Sequence, residues 1–89
     1  MSTVVFQRTP NPNAGKFVVG RPVVEGKASK SYFSAAHARE LPVAAALFEL
    51  DGVANLFMVD DFITVTKQAD SDWADLAPRV IQVIESALG

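Results

Sequence analysis

Few residues of this sequence have the chemistry of a catalytic or metal-binding site. The chain of 89 residues contains one histidine, His37, and no cysteine. Its own residues therefore cannot supply a disulfide, a thiolate nucleophile, a cysteine-ligated zinc site or a cysteine-ligated iron–sulfur cluster. Glu40 lies three residues after His37 on the same helical face, but a single His-x-x-Glu pair is a weak indication of a general base or a metal site. We expect His37 to be a surface residue.

The aspartates of the C-terminal half lack the spacing of a calcium-binding loop, which needs alternating oxygen ligands, a central glycine and a closing glutamate. We expect them instead to form turns and to cap helices. These residues are Asp60, Asp61, Asp70, Asp72 and Asp75. A weak iron-binding site made of His37, Asp60 and Asp61 remains an alternative hypothesis, although their spacing gives it no support.

The glycines and serines do not form a known catalytic motif either. Gly15, Gly20 and Gly26 precede strand-like segments, so no helix N-terminus is available there to hold a phosphate. The sequence contains no Gly-x-Ser-x-Gly motif, and one histidine makes a hydrolytic triad a poor explanation. We therefore predict a non-enzymatic protein with no catalytic residue, no cofactor and no metal ligand.

The hydrophobic pattern predicts the element order β-β-α-β-β-α. Apolar and polar residues alternate in two hairpins, and two later segments carry apolar residues at helical spacing. The strands are expected at 3–9, 15–20, 53–59 and 62–67, and the helices at 42–50 and from Ser71 or Asp72 onward. A first helical turn at 35–40 is capped by Ser34, 21–29 is an edge segment or loop, and 30–34 a short extended piece. This order indicates a single α+β domain over residues 1–89, with a mostly antiparallel four-stranded sheet and both helices on one face.

Composition and charge define the class of protein and the kind of partner. Hydrophobic residues make up 49% of the chain and charged residues 20%, which favours a folded core over disorder. The N-terminal sequence lacks the long apolar region of a secretory signal, and no apolar run reaches the ~20 residues of a membrane span. We expect a soluble cytoplasmic protein that does not bind membranes.

Basic and acidic residues are segregated along the chain. Residues 1–39 contain six basic residues and one acid, whereas residues 40–89 contain nine acids and two basic residues. A basic surface in the first half favours an acidic or anionic partner, including an acidic protein surface. The net charge of −2 and the isoelectric point of about 5.1 argue against nucleic acid as the partner.

The segment TPNPNAGKFVVGRP, residues 9–22, combines a stiff bend with two cations. Pro10 and Pro12 fix their own backbone and push the residue before each towards extended geometry, and Asn11 and Asn13 favour Asx turns. This segment, the LFELDGVANLFMVDDFITVTK hairpin and the DWADLAPRVIQVI helix resemble the N-terminal domain of Nfu/NifU-type iron–sulfur cluster scaffold proteins. The resemblance runs from about Val4 to Ile84.

The resemblance implies an interaction module rather than a cluster carrier. In the two-domain members of this family a C-terminal domain holds the cluster through Cys-x-x-Cys, and this chain, which has no cysteine, is similar to a stand-alone N-terminal domain. The resemblance implies docking to cluster donors, cluster acceptors or other assembly proteins. The partner-binding residues it implies are Thr9, Asn11, Asn13, Lys16 and Arg21.

Two alternatives remain open at this stage. The motif in residues 9–22 could serve only to form the turn between the first two strands. The domain could also bind an anionic or phosphorylated peptide or ligand that has no connection with iron–sulfur clusters.

Overall fold

The computed structural model describes residues 4–24 and 29–88. In chain order the described elements are β1 (Val5–Arg8), β2 (Ala14–Val18), β3 (Ser29–Tyr32), α1 (Ala35–Ala38), α2 (Pro42–Phe48), β4 (Val53–Val59), β5 (Phe62–Lys67) and α3 (Trp73–Leu88). The predicted loop at 21–29 lies partly outside the described residues, which do not include 25–28.

The sheet is antiparallel throughout its described strands and has five of them in the order β1-β2-β5-β4-β3. The prediction of an α+β fold with an antiparallel sheet is confirmed, but the prediction of four strands is wrong. The fifth is β3, which pairs with β4 from Ser29 opposite Val59 to Tyr32 opposite Leu56. At this edge only Tyr32 is buried, so the segment lacks the alternation of apolar residues by which the other strands were recognised.

The core occupies one face of the sheet. Phe17, Ile63 and Val65 alternate along β2 and β5 with partly exposed residues and are themselves fully buried. They join one apolar cluster with Leu47 of α2 and Val80 of α3. The structure has three described helices where the predicted element order counted two, because the helical turn predicted at 35–40 forms a short helix of its own, α1. These helices cover this face of the sheet, and none of them lies on the other face. Within the described residues, no helix combines the length and apolar character needed to cross a membrane.

The helices begin where the capping residues predict. The Ser34 hydroxyl oxygen accepts a hydrogen bond from the His37 N–H at 3.2 Å at the start of α1. Pro42 is the first residue of α2, where its missing N–H costs no helical bond. Asp72 caps α3, and its carboxylate accepts from the Ala74 N–H at 3.0 Å. The predicted N-caps of α1 and α3, Ser34 and Asp72, are confirmed. Helix α2 ends at Phe48, two residues earlier than expected.

The β4–β5 turn also fixes the chain that follows β2. Asp60 adopts a left-handed backbone conformation with φ of 49°, which aspartate tolerates better than most residues. The carbonyl oxygen of Asp61 accepts from the Val19 N–H at 2.7 Å, and that of Asp60 accepts from the Val23 N–H at 2.8 Å. The two aspartates therefore form a turn, as the sequence predicts.

Candidate functional site

The loop of residues 9–13 is held in shape by its own polar groups. The Thr9 hydroxyl lies 2.9 Å from the carbonyl oxygens of both Asn11 and Ala14, and its oxygen accepts from the Asn11 N–H at 3.2 Å. The Asn13 N–H donates to the Asn11 side-chain oxygen at 2.9 Å, which closes the predicted Asx turn. Three of the five predicted partner-binding residues thus serve to form this turn.

The same loop is attached to the domain by two buried side chains. The indole Nε1 of Trp73 donates to the Pro12 carbonyl oxygen at 3.0 Å. Lys67, which is only 8% exposed, donates from Nζ to the Asn13 Oδ1 at 3.1 Å and to the Gln68 carbonyl oxygen at 3.3 Å. Its backbone N–H donates to the Asn13 carbonyl oxygen at 2.7 Å. These bonds satisfy groups that would otherwise be costly to bury.

Aromatic rings fill the space beneath the loop. Phe6, Phe17 and Trp73 lie with ring centroids 5.0 to 5.9 Å apart in tilted arrangements. Gly15 provides the space for them, because a Cβ atom there would lie 2.5 Å from a ring carbon of Phe6 and 3.0 Å from the Trp73 ring. The composition of residues 9–15 is thus explained by packing as well as by turn formation.

Lys16 and Arg21 lie away from this loop. Lys16 lies on the uncovered face of the sheet, where its Nζ is 4.3 Å from the centroid of the Phe62 ring. Arg21 is exposed, beyond the opposite end of β2 from the loop. The structure therefore divides the five predicted residues among three places and does not bring them together into one surface. Whether any of them binds a partner stays a prediction.

Lys16 belongs to a surface that we call the open face, the side of the sheet opposite the helices. Strand pairing places residues of neighbouring strands in two cross-strand rows. The first row contains Val5, Val18, Phe62, Val59 and Ser29, and the second contains Gln7, Lys16, Thr64, Phe57 and Ser31. A third, shorter row contains Ala14, Thr66 and Asn55.

Apolar side chains are concentrated in the first two rows of the open face. Val5 is 52% exposed and Phe57 is 39% exposed, whereas Val18, Val59 and Phe62 are partly exposed. Of this face, sequence reasoning singled out only Lys16. A signal was present in VANLFMV, residues 53–59, because a strand that is apolar at consecutive positions presents apolar side chains on both faces of a sheet.

The predicted His37–Glu40 pair belongs to a structural contact at the β3 edge. The Tyr32 hydroxyl donates to Glu40 Oε1 at 2.7 Å, the Lys30 Nζ lies 3.6 Å from the same oxygen, and the His37 ring packs edge-on against Tyr32 with centroids 4.9 Å apart. Burial and the neighbouring Glu40 raise the pKa of Tyr32 to about 12. The hydrogen bond from Tyr32, and next the charge of Lys30, lower the pKa of Glu40. His37 is exposed, as predicted.

The part of the chain that the structure describes contains no cluster of side chains that could bind a metal ion. No three histidine, cysteine, aspartate or glutamate side chains there are close enough to hold one ion. His37, Asp60 and Asp61 therefore do not form the three-ligand iron site considered from the sequence. An acidic hollow of about 240 Å³ beside the start of α3 is lined by Asp51, Asp70, Asp72 and Asp75, with Arg79 at its side.

Comparison with known proteins assigns the family. A family profile described as the N-terminal region of the Nfu/NifU scaffold proteins matches residues 4–89, so the chain belongs to the Nfu/NifU N-terminal domain family. The human protein named NFU1 iron-sulfur cluster scaffold homolog, mitochondrial, is 42% identical over 79 residues. These cover 88% of this chain and 31% of the human protein.

Solved structures share the fold of this chain. The crystal structure of Staphylococcus aureus protein SAV1430 matches with a TM-score of 0.81 and 28% identity, over 94% of this chain and 99% of that chain. The solution structure of a NifU-like protein from Saccharomyces cerevisiae matches with a TM-score of 0.86 and 25% identity, over 98% of this chain and 78% of that chain. The chain spans about a third of the length of the curated relatives it matches.

Proposed function

We propose that this protein is a non-catalytic interaction module of iron–sulfur cluster assembly that acts by binding other proteins. Two findings support the proposal. The chain belongs to a family named for iron–sulfur scaffolds, and none of the described helices lies on one face of its five-stranded sheet. With no cysteine among its 89 residues, the chain would leave ligation of the cluster to its partners.

The observation that carries the proposal is the apolar content of the open face. Monomeric proteins rarely expose large contiguous apolar patches, and such patches often mark interaction sites. Here Val5 and Phe57 are substantially exposed next to Val18, Val59 and Phe62. An interaction module needs a surface of this kind, whereas an enzyme would need convergent titratable groups in a cleft.

The alternative of an anionic or phosphorylated ligand at residues 9–13 has less support. The side chains of Thr9, Asn11 and Asn13 already make the hydrogen bonds that form and attach the loop. A phosphate at these groups would have to replace bonds that define the turn. The loop is better explained as a rigid part of the domain than as an anion-binding site.

Affinity purification from the native cell tests the proposal. The tagged protein is recovered under anaerobic conditions and its partners are quantified by mass spectrometry, with an empty tag as the reference. We expect proteins that assemble or receive iron–sulfur clusters to be enriched. Absence of any such protein above the reference would refute the proposed function.

A matched pair of variants connects that function with the open face. Phe57→Glu places a charge on the open face, and Gln82→Glu places the same charge on the exposed side of α3. We expect partner recovery to fall about tenfold for Phe57→Glu and to be unchanged for Gln82→Glu, since a hot-spot aromatic residue contributes about 1.4 kcal/mol or more to binding. Equal recovery with both variants would exclude this surface.

The cytoplasmic location predicted from the sequence belongs to the same proposal. The curated relatives from human and Arabidopsis thaliana are both named mitochondrial. Immunodetection in fractionated native cells distinguishes the two compartments if the source cell has mitochondria. Recovery in the mitochondrial fraction would contradict the cytoplasmic location without affecting the binding role.

A further inference from the structure

The open face has the dimensions of a docking site for a helix. Its five strands, at about 4.8 Å between neighbours, span about 19 Å across the sheet. A helix lying across the strands would cover this distance in about three and a half turns, and it is about 10 Å wide with its side chains. The first row is apolar from Val5 to Val59, and Phe57 adjoins it from the second row, which lies about 7 Å further along the strands. These residues form a strip along which one helix can lie. The opposite face of the same sheet already packs against helices.

The charge on this face is of one sign. Among the described strand residues of the open face, Lys16 is charged and none is acidic. Its ammonium group lies 4.3 Å from the Phe62 ring centroid and therefore within the apolar strip. A carboxylate brought to this position would meet a cation in surroundings that a bound partner makes less aqueous, where charge pairs are stronger.

The helix layer carries the opposite charge. Most acidic residues lie in the helices or in the segments that connect them to the strands, where seven are found: Glu40, Glu49, Asp51, Asp70, Asp72, Asp75 and Glu85. An acidic partner would be repelled by this side of the molecule and attracted by the open face. Asp60 and Asp61 lie in the turn beyond the Val59–Phe62 pair, and Arg39 and Arg79 offset part of the acidic charge of the helix layer. The charge distribution thus favours contact of an acidic group with the open face at Lys16.

We propose that the open face binds an amphipathic helix of a partner protein, with apolar residues on the Val5–Phe57 strip and an aspartate or glutamate at Lys16. This inference rests on the proposed function and specifies the chemistry of the partner. A second copy of the chain, docked through its own open face, would not supply the acidic residue that Lys16 requires. Two open faces in contact would each present a lysine and no acidic strand residue to the other.

Two synthetic peptides test the inference directly. Both are helical and carry the same stripe of leucines, but one has glutamates beside the stripe and the other has lysines at the same positions. Binding to the isotope-labelled protein is followed by amide chemical shifts. We expect the glutamate peptide to shift amides of β2, β4 and β5 and to bind at least fivefold more tightly than the lysine peptide.

Charge reversal on the protein provides the control. Lys16→Glu should abolish or invert the preference between the two peptides. Arg79→Glu makes the same change of charge on an exposed position of α3, and we expect the preference to be preserved. Amide spectra of both variants without peptide establish that each remains folded.

Several outcomes would overturn the inference. These are equal binding of the two peptides, no binding of either, shifts confined to the helix layer, or a preference that Lys16→Glu leaves unchanged. Concentration-dependent shifts in the open face without any peptide would identify a second copy as the occupant and would also overturn it. If assembly proteins are still enriched from the native cell, the proposed function survives while the helix-docking inference fails.

Discussion

The indole Nε1 of Trp73 donates a hydrogen bond to the carbonyl oxygen of Pro12 at 3.0 Å, across 61 positions of the chain. This bond joins the first residue of α3 to the loop that connects β1 and β2. The loop is therefore held by the C-terminal helix as well as by its neighbouring strands. Its stiffness depends on long-range contacts in addition to its prolines.

Replacing Trp73 by phenylalanine should separate the hydrogen bond from the aromatic packing. Trp73→Phe keeps an apolar ring beside Phe6 and Phe17 but removes the donor to Pro12. We expect the free energy of unfolding, measured by urea denaturation, to fall by about 1–2 kcal/mol. Trp73→Ala, which also empties the aromatic cluster, should cost about 3–5 kcal/mol. A Phe variant as stable as the parent would mean that the bond to Pro12 contributes nothing.

The buried ammonium of Lys67 depends on Asn13. Asn13→Ala removes the side-chain oxygen that accepts from the Lys67 Nζ at 3.1 Å and leaves that buried ammonium only the Gln68 carbonyl oxygen at 3.3 Å. We expect a loss of about 1–3 kcal/mol because a buried donor loses one of its two acceptors. Lys67→Met in the same background removes that donor. The double variant should recover part of the stability lost by Asn13→Ala, as measured by a double-mutant cycle in urea. Strict additivity of the two single changes would contradict this pairing.

Gly15 is required by the space that the aromatic cluster occupies. Gly15→Ala would place a Cβ atom 2.5 Å from the Phe6 ring and force that ring to move. We expect a loss of about 1–3 kcal/mol in the free energy of unfolding, the usual effect of overpacking. Combining it with Phe6→Leu, which offers a smaller side chain, should reduce this loss. If Gly15→Ala leaves the free energy of unfolding unchanged in both the parent and Phe6→Leu, the close approach of the Phe6 ring does not constrain position 15.

The contact between Tyr32 and Glu40 should make stability depend on pH at both extremes. The pKa of Tyr32, raised to about 12 in the folded protein, gives a contribution that is present below the unfolded value of about 10 and is lost as the pH rises towards 12. The lowered pKa of Glu40 gives a contribution that is present above its ordinary value of 4.5 and is lost as the pH falls through the folded value.

Tyr32→Phe should remove the contribution of Tyr32 and weaken that of Glu40. We expect the stability difference between the parent and Tyr32→Phe to be greatest between about pH 6 and pH 9 and to shrink beyond both limits. Urea denaturation of both proteins at pH values inside and outside this interval measures the stability difference. Because the chain has a single tyrosine, tyrosinate absorbance reports the titration of Tyr32 directly. A Tyr32 that ionises near pH 10 in the folded protein, or a difference that is constant with pH, would contradict the prediction.

The sequence was sufficient to predict the elements whose signals are local. Alternating residues from Phe62 to Thr66, the cap at Asp72 and the position of Pro42 each predicted a feature that the structure contains. Strand β3 was missed because its pairing with β4 depends on distant residues, and a four-residue edge strand with one buried side chain has no periodic pattern.

The candidate site was only partly predictable for a related reason. Composition alone could not show that the polar side chains of Thr9, Asn11 and Asn13 are used within the loop, since their bonds depend on the folded backbone and on Lys67. Lys16 was identified as a candidate residue. The apolar residues Val5 and Phe57 lie on other strands, and only the cross-strand register places them on the same face as Lys16.

The separation of charge between the open face and the helix layer also has a kinetic consequence. A molecule with Lys16 on one side and most of its carboxylates on the other has an electric dipole that orients it before contact with a charged partner. Encounters with an acidic helix would be preselected for the correct orientation, and the association rate constant would fall as ionic strength rises. The dissociation rate, which depends on the apolar strip, would change much less with salt.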